Sequence, residues 1–186
     1  MPSSDSSQPV SVAELFASYG EALYLAQSME VGMRIFYWLD KALPNKPPGK
    51  SPRIDFDSEP LPDINVNSLG GFIRQFRREL LEEGGVDAET RNIMRKLEQS
   101  ADDRNWLVHT FWWERSNCLD TKEDRANLLV ELQGLVDQFR YNDQLIRRLV
   151  LLCLEHFDLT YEQFPSPRFQ GYIRGDFFSA NVKHEW

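Results

Sequence analysis

Two long stretches of this sequence repeat their apolar residues at three- and four-residue steps. That periodicity limits the fold more than any other feature. Leu15, Tyr19, Leu23, Ala26, Met29, Met33 and Phe36 mark the first stretch, and Leu128, Leu132, Leu135, Phe139, Ile146, Leu149 and Leu152 mark the last. Such spacing lines one side of an α-helix, where a strand would alternate by two. Ser11-Val12-Ala13-Glu14 has the form of a capping box ahead of the first helix, which Pro44 stops at about Leu43. A second helix is predicted from near Ser68 to the glycine pair Gly84-Gly85. A third runs from about Ala88, capped by Asp87, to Arg115. A fourth is capped by Thr121 with Asp124 and reaches about Phe157, with a bend placed at Gly134 or at Tyr141-Asn142.

Between the first two helices, residues 44–66 hold six of the ten prolines and no helical period. They read as an extended surface connection with a short strand-like piece around Arg53 to Phe56. Residues 1–10 read as a polar tail. Residues 158–186 are aromatic-rich and carry Pro165, Pro167, Gly171 and Gly175, so they read as an irregular arm packed on the helices. The expectation is therefore an all-α chain: an up-and-down bundle of four long helices over residues 11–157, with a proline-rich loop and a C-terminal arm.

The 186 residues carry a net charge of −8, which argues against coating nucleic acid through a broad basic surface. DNA is not an expected partner, whereas a small local RNA site is compatible with that charge. Cys118 and Cys153 form no CxxC pair, so no disulfide framework is expected and a reducing, cytoplasmic setting fits. The run Leu149 to Leu154 is far short of the ~20 residues of a membrane span, and the first ten residues lack the form of a signal peptide. His109, His156 and His184 stand in no metal-ligand spacing. No phosphate-binding loop or nucleophile elbow is present, and neither metal nor cofactor is expected.

The informative stretch lies in the third helix, Asp102 to Trp113. Leu97, Ala101, Val108 and Phe111 form an apolar stripe at ~100° per residue, with Arg104 inside it. An arginine on such a stripe is costly unless its donors find partners. Asn105 and His109 lie one turn apart, placing an amide where it can fix the imidazole tautomer. Histidine can move the proton of a ribose 2′-hydroxyl, and a guanidinium can stabilise a phosphorane-like transition state. The structural alternative pairs Arg104 with an acid on a neighbouring helix and leaves His109 a satisfied, half-buried histidine.

Arg104-Asn105-Trp106-Leu107-Val108-His109, followed by Thr110-Phe111-Trp112, resembles the R-N-x-x-x-H-x-F signature of the HEPN superfamily. Ala26-Gln27-Ser28-Met29-Glu30 and Ser68-Leu69-Gly70-Gly71-Phe72-Ile73 resemble the two preceding helices of some bacterial members. The resemblance covers roughly residues 11–157. It implies a metal-independent endoribonuclease of toxin–antitoxin or phage-defence type, with Arg104 and His109 as the catalytic pair and Asn105 as the polar residue beside them. It also implies a homodimer in which both sets face one cleft, with RNA as substrate and an antitoxin or other protein as partner. Thr110-Phe111-Trp112 stands where relatives often carry a second histidine or two phenylalanines, so a bulkier cleft is expected. The competing reading is a non-catalytic HEPN-like dimer acting as a protein-interaction or regulatory module.

Weaker signals remain. Arg74, Arg77 and Arg78 share a helix face that could touch a phosphate backbone, although Arg78 and Glu82 have the spacing of an i,i+4 ion pair. Gly70-Gly71 suits close helix packing, Trp112-Trp113 suits core or dimer packing, and His156 suits a helix C-terminus.

Overall fold

The structure, a computed structural model, describes residues 9–43, 69–82, 87–164 and 166–175. The expected tail over residues 1–8, the proline-rich connection with its strand-like piece, the Gly84-Gly85 stop and the last eleven residues of the arm lie outside the described residues. Among the described residues the chain is all-helical, without strands. The six α-helices among the described residues are α1 (Val12–Ala42), α2 (Leu69–Glu82), α3 (Ala88–His109), α4 (Phe111–Arg115), α5 (Lys122–His156) and α6 (Pro167–Arg174).

Local chemistry sets the helix ends. The Ser11 hydroxyl accepts from the Glu14 amide at 3.2 Å, and the Glu14 carboxylate takes the Ser11 amide at 2.7 Å, completing the capping box. Those bonds hold the Glu14 carboxyl below its ordinary range. Asp87 accepts from the Thr90 amide at 2.7 Å, and Thr121 accepts from the Asp124 amide at 3.1 Å. With that start, α5 runs unbroken through Gly134 and Tyr141-Asn142, so the expected bend does not interrupt it.

The main contact layer is α1 against α5. Leu15, Ala22, Ala26, Met29 and Met33 from α1 meet Leu128, Leu132, Val136, Phe139, Ile146, Val150 and Leu154 from α5 in one core. Leu152, expected inside, is exposed, and Val150 and Leu154 are buried instead. In an unbroken apolar run, spacing alone does not say which face turns inward.

Cross-helix partners fix the directions. Glu21 meets Arg140 and Ser28 meets Arg147, so α1 and α5 run parallel. The Tyr19 hydroxyl donates to the Leu107 carbonyl, Glu30 pairs with Arg104, and Ser100 accepts from Asn142, so α3 runs antiparallel to both. Arg34 packs over Phe72, Tyr37 bonds Gln75 and Lys41 pairs with Glu79, so α2 runs alongside the second half of α1 in the same direction. The expected up-and-down alternation therefore fails between the first two helices. A short loop forces the next helix to reverse, but residues 43–68 form a connection long enough to leave its direction free.

Two further expectations change. The third helix does not reach Arg115: Thr110 leaves helical geometry at φ −129° and ψ −28°, and α4 starts behind it. The break seats Phe111 fully in the core, edge-on to Trp106 at 5.1 Å, with Tyr19 at 5.5 Å. The C-terminal arm is not wholly irregular. Ser166 caps α6 with Pro167 in its first turn, and Gly175 closes it at φ +82°, a left-handed conformation that favours glycine. Phe164, Phe169 and Tyr172 of this arm are completely buried, as packing of an aromatic arm on the helices requires.

Candidate functional site

Arg104 and His109 sit on the last two turns of α3. The order Leu97, Ala101, Leu107 and Phe111 faces the core, each nearly or fully buried. Val108, expected on that stripe, is 42% exposed. The stripe can step from 104 to 107 or to 108 within a helix of 3.6 residues per turn, and the core takes Leu107. Arg104 consequently lies at the stripe's edge, its side chain 25% exposed.

Its guanidinium has two partners. Nη2 donates to Glu30 Oε2 at 2.9 Å, and Nη1 donates to Asn105 Oδ1 at 3.1 Å. Glu30 is itself shared, since Arg34 Nη2 donates to Oε1 at 2.8 Å. One carboxylate on α1 thus stands between two guanidiniums, and the Nε of each arginine is buried without a hydrogen-bond partner. The Glu of the first-helix segment carries this contact, a pairing that sequence spacing does not reveal because 74 residues separate the partners. Alanine at Glu30 would leave two partly buried cations sharing no counter-charge. The expected loss is about 2 kcal/mol, between the values for surface and buried pairs, read from urea unfolding at neutral pH.

His109 is the last residue of α3, exposed, with no hydrogen bond or ion pair to any described residue. The structural alternative therefore holds for Arg104, which pairs with an acid of α1, and not for His109, which is neither half-buried nor bonded. The expected Asn105–His109 bond is absent too, because the Asn105 carboxamide oxygen is turned to its neighbour Arg104. Asp103, a source of negative charge beside the site, is engaged by Gln99 at 2.9 Å and Gln138 at 2.6 Å. Arg104, Asn105 and His109 are thus brought to one end of α3, with only the first two in contact.

Aromatic side chains flank this end. Phe16 lies 4.9 Å from Trp112, and Tyr19 lies 5.0 Å from it, while Trp113 stands 88% exposed. Packing explains Trp112 and not Trp113.

The three arginines of α2 make no hydrogen bond or ion pair with Arg104, Asn105 or His109. Arg77 Nη1 donates to both carboxylate oxygens of Glu98 on α3, at 2.8 and 3.0 Å. Arg78 does not pair with Glu82, so the expected i,i+4 bridge is not formed. Gly70 supports the packing reading: a Cβ there would stand 3.6 Å from Ala101 Cβ, ordinary contact between α2 and α3. His156 ends α5, and burial pushes the Cys153 thiol up to about 11, which keeps it protonated at neutral pH.

Among the described residues no group of three or more His, Cys, Asp or Glu is placed to hold a metal ion, and no helix is long and apolar enough to cross a membrane. In comparisons with known proteins, no family model, no curated protein and no solved structure matches the chain.

Proposed function

We propose that this chain is a metal-independent endoribonuclease of HEPN type, acting in the cytoplasm as a homodimer in a toxin–antitoxin or phage-defence role. The observation that carries the reading is an unpartnered, solvent-facing His109 on the helix that also holds the fixed guanidinium of Arg104. His109 takes the proton of a ribose 2′-hydroxyl, and the oxygen attacks the adjacent phosphorus. The P–O5′ bond breaks, the 5′ oxygen is protonated, and a 2′,3′-cyclic phosphate and a 5′-hydroxyl remain. Arg104 lends charge to the equatorial oxygens, and its tether to Glu30 limits its motion before substrate arrives. Pairing of two protomers supplies a second histidine for the leaving oxygen and closes a cleft that a single exposed histidine lacks.

A second reading has its own support. Glu30 pairs with Arg104, and both terminal nitrogens of the guanidinium are engaged, which suits a non-catalytic helical module whose α3 end binds protein. Incubation of purified protein with total RNA in EDTA, followed by analysis of the product ends, separates the two. Cyclic phosphates that appear with wild type and vanish with His109→Ala support the nuclease. RNA left intact by wild type, with no growth defect on overexpression, turns the assignment to the protein-binding module.

A further inference from the structure

We propose that the groove between α2 and α3 is a binding track for the phosphodiester backbone of single-stranded RNA, leading toward Arg104. RNA as the polyanion rests on the nuclease reading above; the groove's charge and shape do not.

The groove encloses about 470 Å³ and is lined by Arg74, Arg77, Arg78, Glu82 and Glu98. Three arginines on one helical face form a local basic patch in a chain whose net charge is −8. They fall into two states. Arg77 is fixed by both oxygens of Glu98, so it forms a rigid lip and not a free contact. Arg74 and Arg78 are exposed and have no carboxylate partner among the described residues. Glu79, the acid nearest Arg78 in sequence, is already held by Lys41 at 2.8 Å and by Gln75 at 3.1 Å. Burial raises its carboxyl, while Lys41 and Gln75, with the nearby charge of Arg78, bring it below its ordinary range. Two arginines four residues apart, about 6 Å along the helix at ~1.5 Å per residue, are left to bind successive phosphates of an extended strand.

The track has a direction. The place a Cβ would take at Gly70 lies 3.3 Å from Arg74 Nη1 and 3.6 Å from Ala101 Cβ, which brings that guanidinium beside α3. Ala101 is one turn ahead of Arg104 and Asn105 on the same helix. Arg34, which shares Glu30 with Arg104, packs 5.8 Å from the Phe72 ring in the first turn of α2. A strand laid over Arg78 and Arg74 is therefore delivered to the end of α3 that carries the Arg104 guanidinium. Glycine at position 70 leaves Arg74 its place beside α3, because a Cβ there would press on its guanidinium.

Binding is tested apart from cleavage by fluorescence anisotropy, with a labelled 2′-O-methyl oligoribonucleotide of roughly twelve nucleotides, within the usual span of single-strand sites. The methyl group removes the attacking hydroxyl, so the probe binds without being cut. The double variant Arg74→Glu/Arg78→Glu is expected to bind at least about tenfold more weakly. Its slope of log affinity against log salt should shrink by about 1.4, close to 0.7 for each lost phosphate contact. Glu82→Gln, which removes an opposing charge, should bind about twofold tighter, and Arg148→Glu on α5 should match wild type. Neutral Arg74→Gln/Arg78→Gln gives an intermediate loss and guards against a folding artefact. Wild type that fails to bind the probe, or a double variant that binds like Arg148→Glu, overturns the track. Unmodified RNA cut by wild type while the groove variants bind normally would refute the track and keep the nuclease. Groove-dependent binding with no cleavage of unmodified RNA would do the reverse.

Discussion

Alanine at His109 is expected to reduce RNA cleavage by roughly 10²–10⁴-fold, the range contributed by one positioned acid–base group. The urea unfolding midpoint should not move, because the side chain is exposed and bonds to no described residue. That combination separates a chemical role from a structural one. Arg104 gives a different signature. Arg104→Ala removes the donor to Glu30 across the α1–α3 contact, so cleavage and stability should fall together. Arg104→Lys can keep one bond to Glu30 but loses the planar fork. It should retain most of the stability and lose most of the activity. If His109→Ala cleaves like wild type, the acid–base assignment is wrong, whatever Arg104 does.

The largest stability effect is expected far from that helix end, at Gly32. Tyr172 from α6 enters a notch on α1 that exists because position 32 has no side chain. A Cβ there would lie 2.8 Å from Ile146 Cγ2 and closer still to the Tyr172 hydroxyl. Neither neighbour can yield cheaply, since Ile146 is fully buried in α5 and the tyrosine ring is rigid and 0% exposed. Gly32→Ala should therefore cost at least about 3 kcal/mol, the upper range for overpacking, and should free α6 to proteases. The clash predicts strong coupling. Gly32→Ala/Tyr172→Ala should lose clearly less than the sum of the two single variants, as coupled neighbours do. Strict additivity in urea unfolding would refute the notch.

In this notch Tyr172 is not held by hydrogen bonding. Its hydroxyl is buried without a hydrogen-bond partner, and burial, followed by the charge of Asp143, raises its pKa well above 10. Asp143 is raised as well by burial, against the pull of Arg147, which donates to it at 2.6 and 2.9 Å. Arg147 also lies 4.9 Å over the Tyr172 ring. The arm is thus anchored by shape and by this cation, while the ion pair beneath it ties one turn of α5 to the next.

Much of the local structure was readable in order along the chain. Ser11, Glu14, Asp87, Thr121 and Asp124 cap their helices with bonds to residues three positions away, so sequence neighbours contain the whole interaction. The apolar positions of α1 and most of α5 were legible for the same reason: helical pitch converts spacing into a face. Legibility failed where two registers were equally apolar, as at Val108 against Leu107 and at Leu152 against Val150 and Leu154. It failed also at Thr110, because the advantage of ending α3 there lies in seating Phe111 among Tyr19, Trp106 and Trp112. The short α6 escaped because prolines and glycines that break long helices also start and close short ones.

For the candidate site, sequence determined which groups are present and that Arg104 and His109 share a helix. The tertiary structure decided what they touch. Glu30 meets Arg104 only because α3 returns antiparallel along α1, Arg77 meets Glu98 only because α2 lies beside α3, and Asn105 turns to Arg104 instead of His109. Helix direction was likewise settled in three dimensions. A local pattern specifies a helix and its inward face, whereas the parallel run of α1, α2 and α5 depends on where long connections return the chain and on which buried faces fit one another.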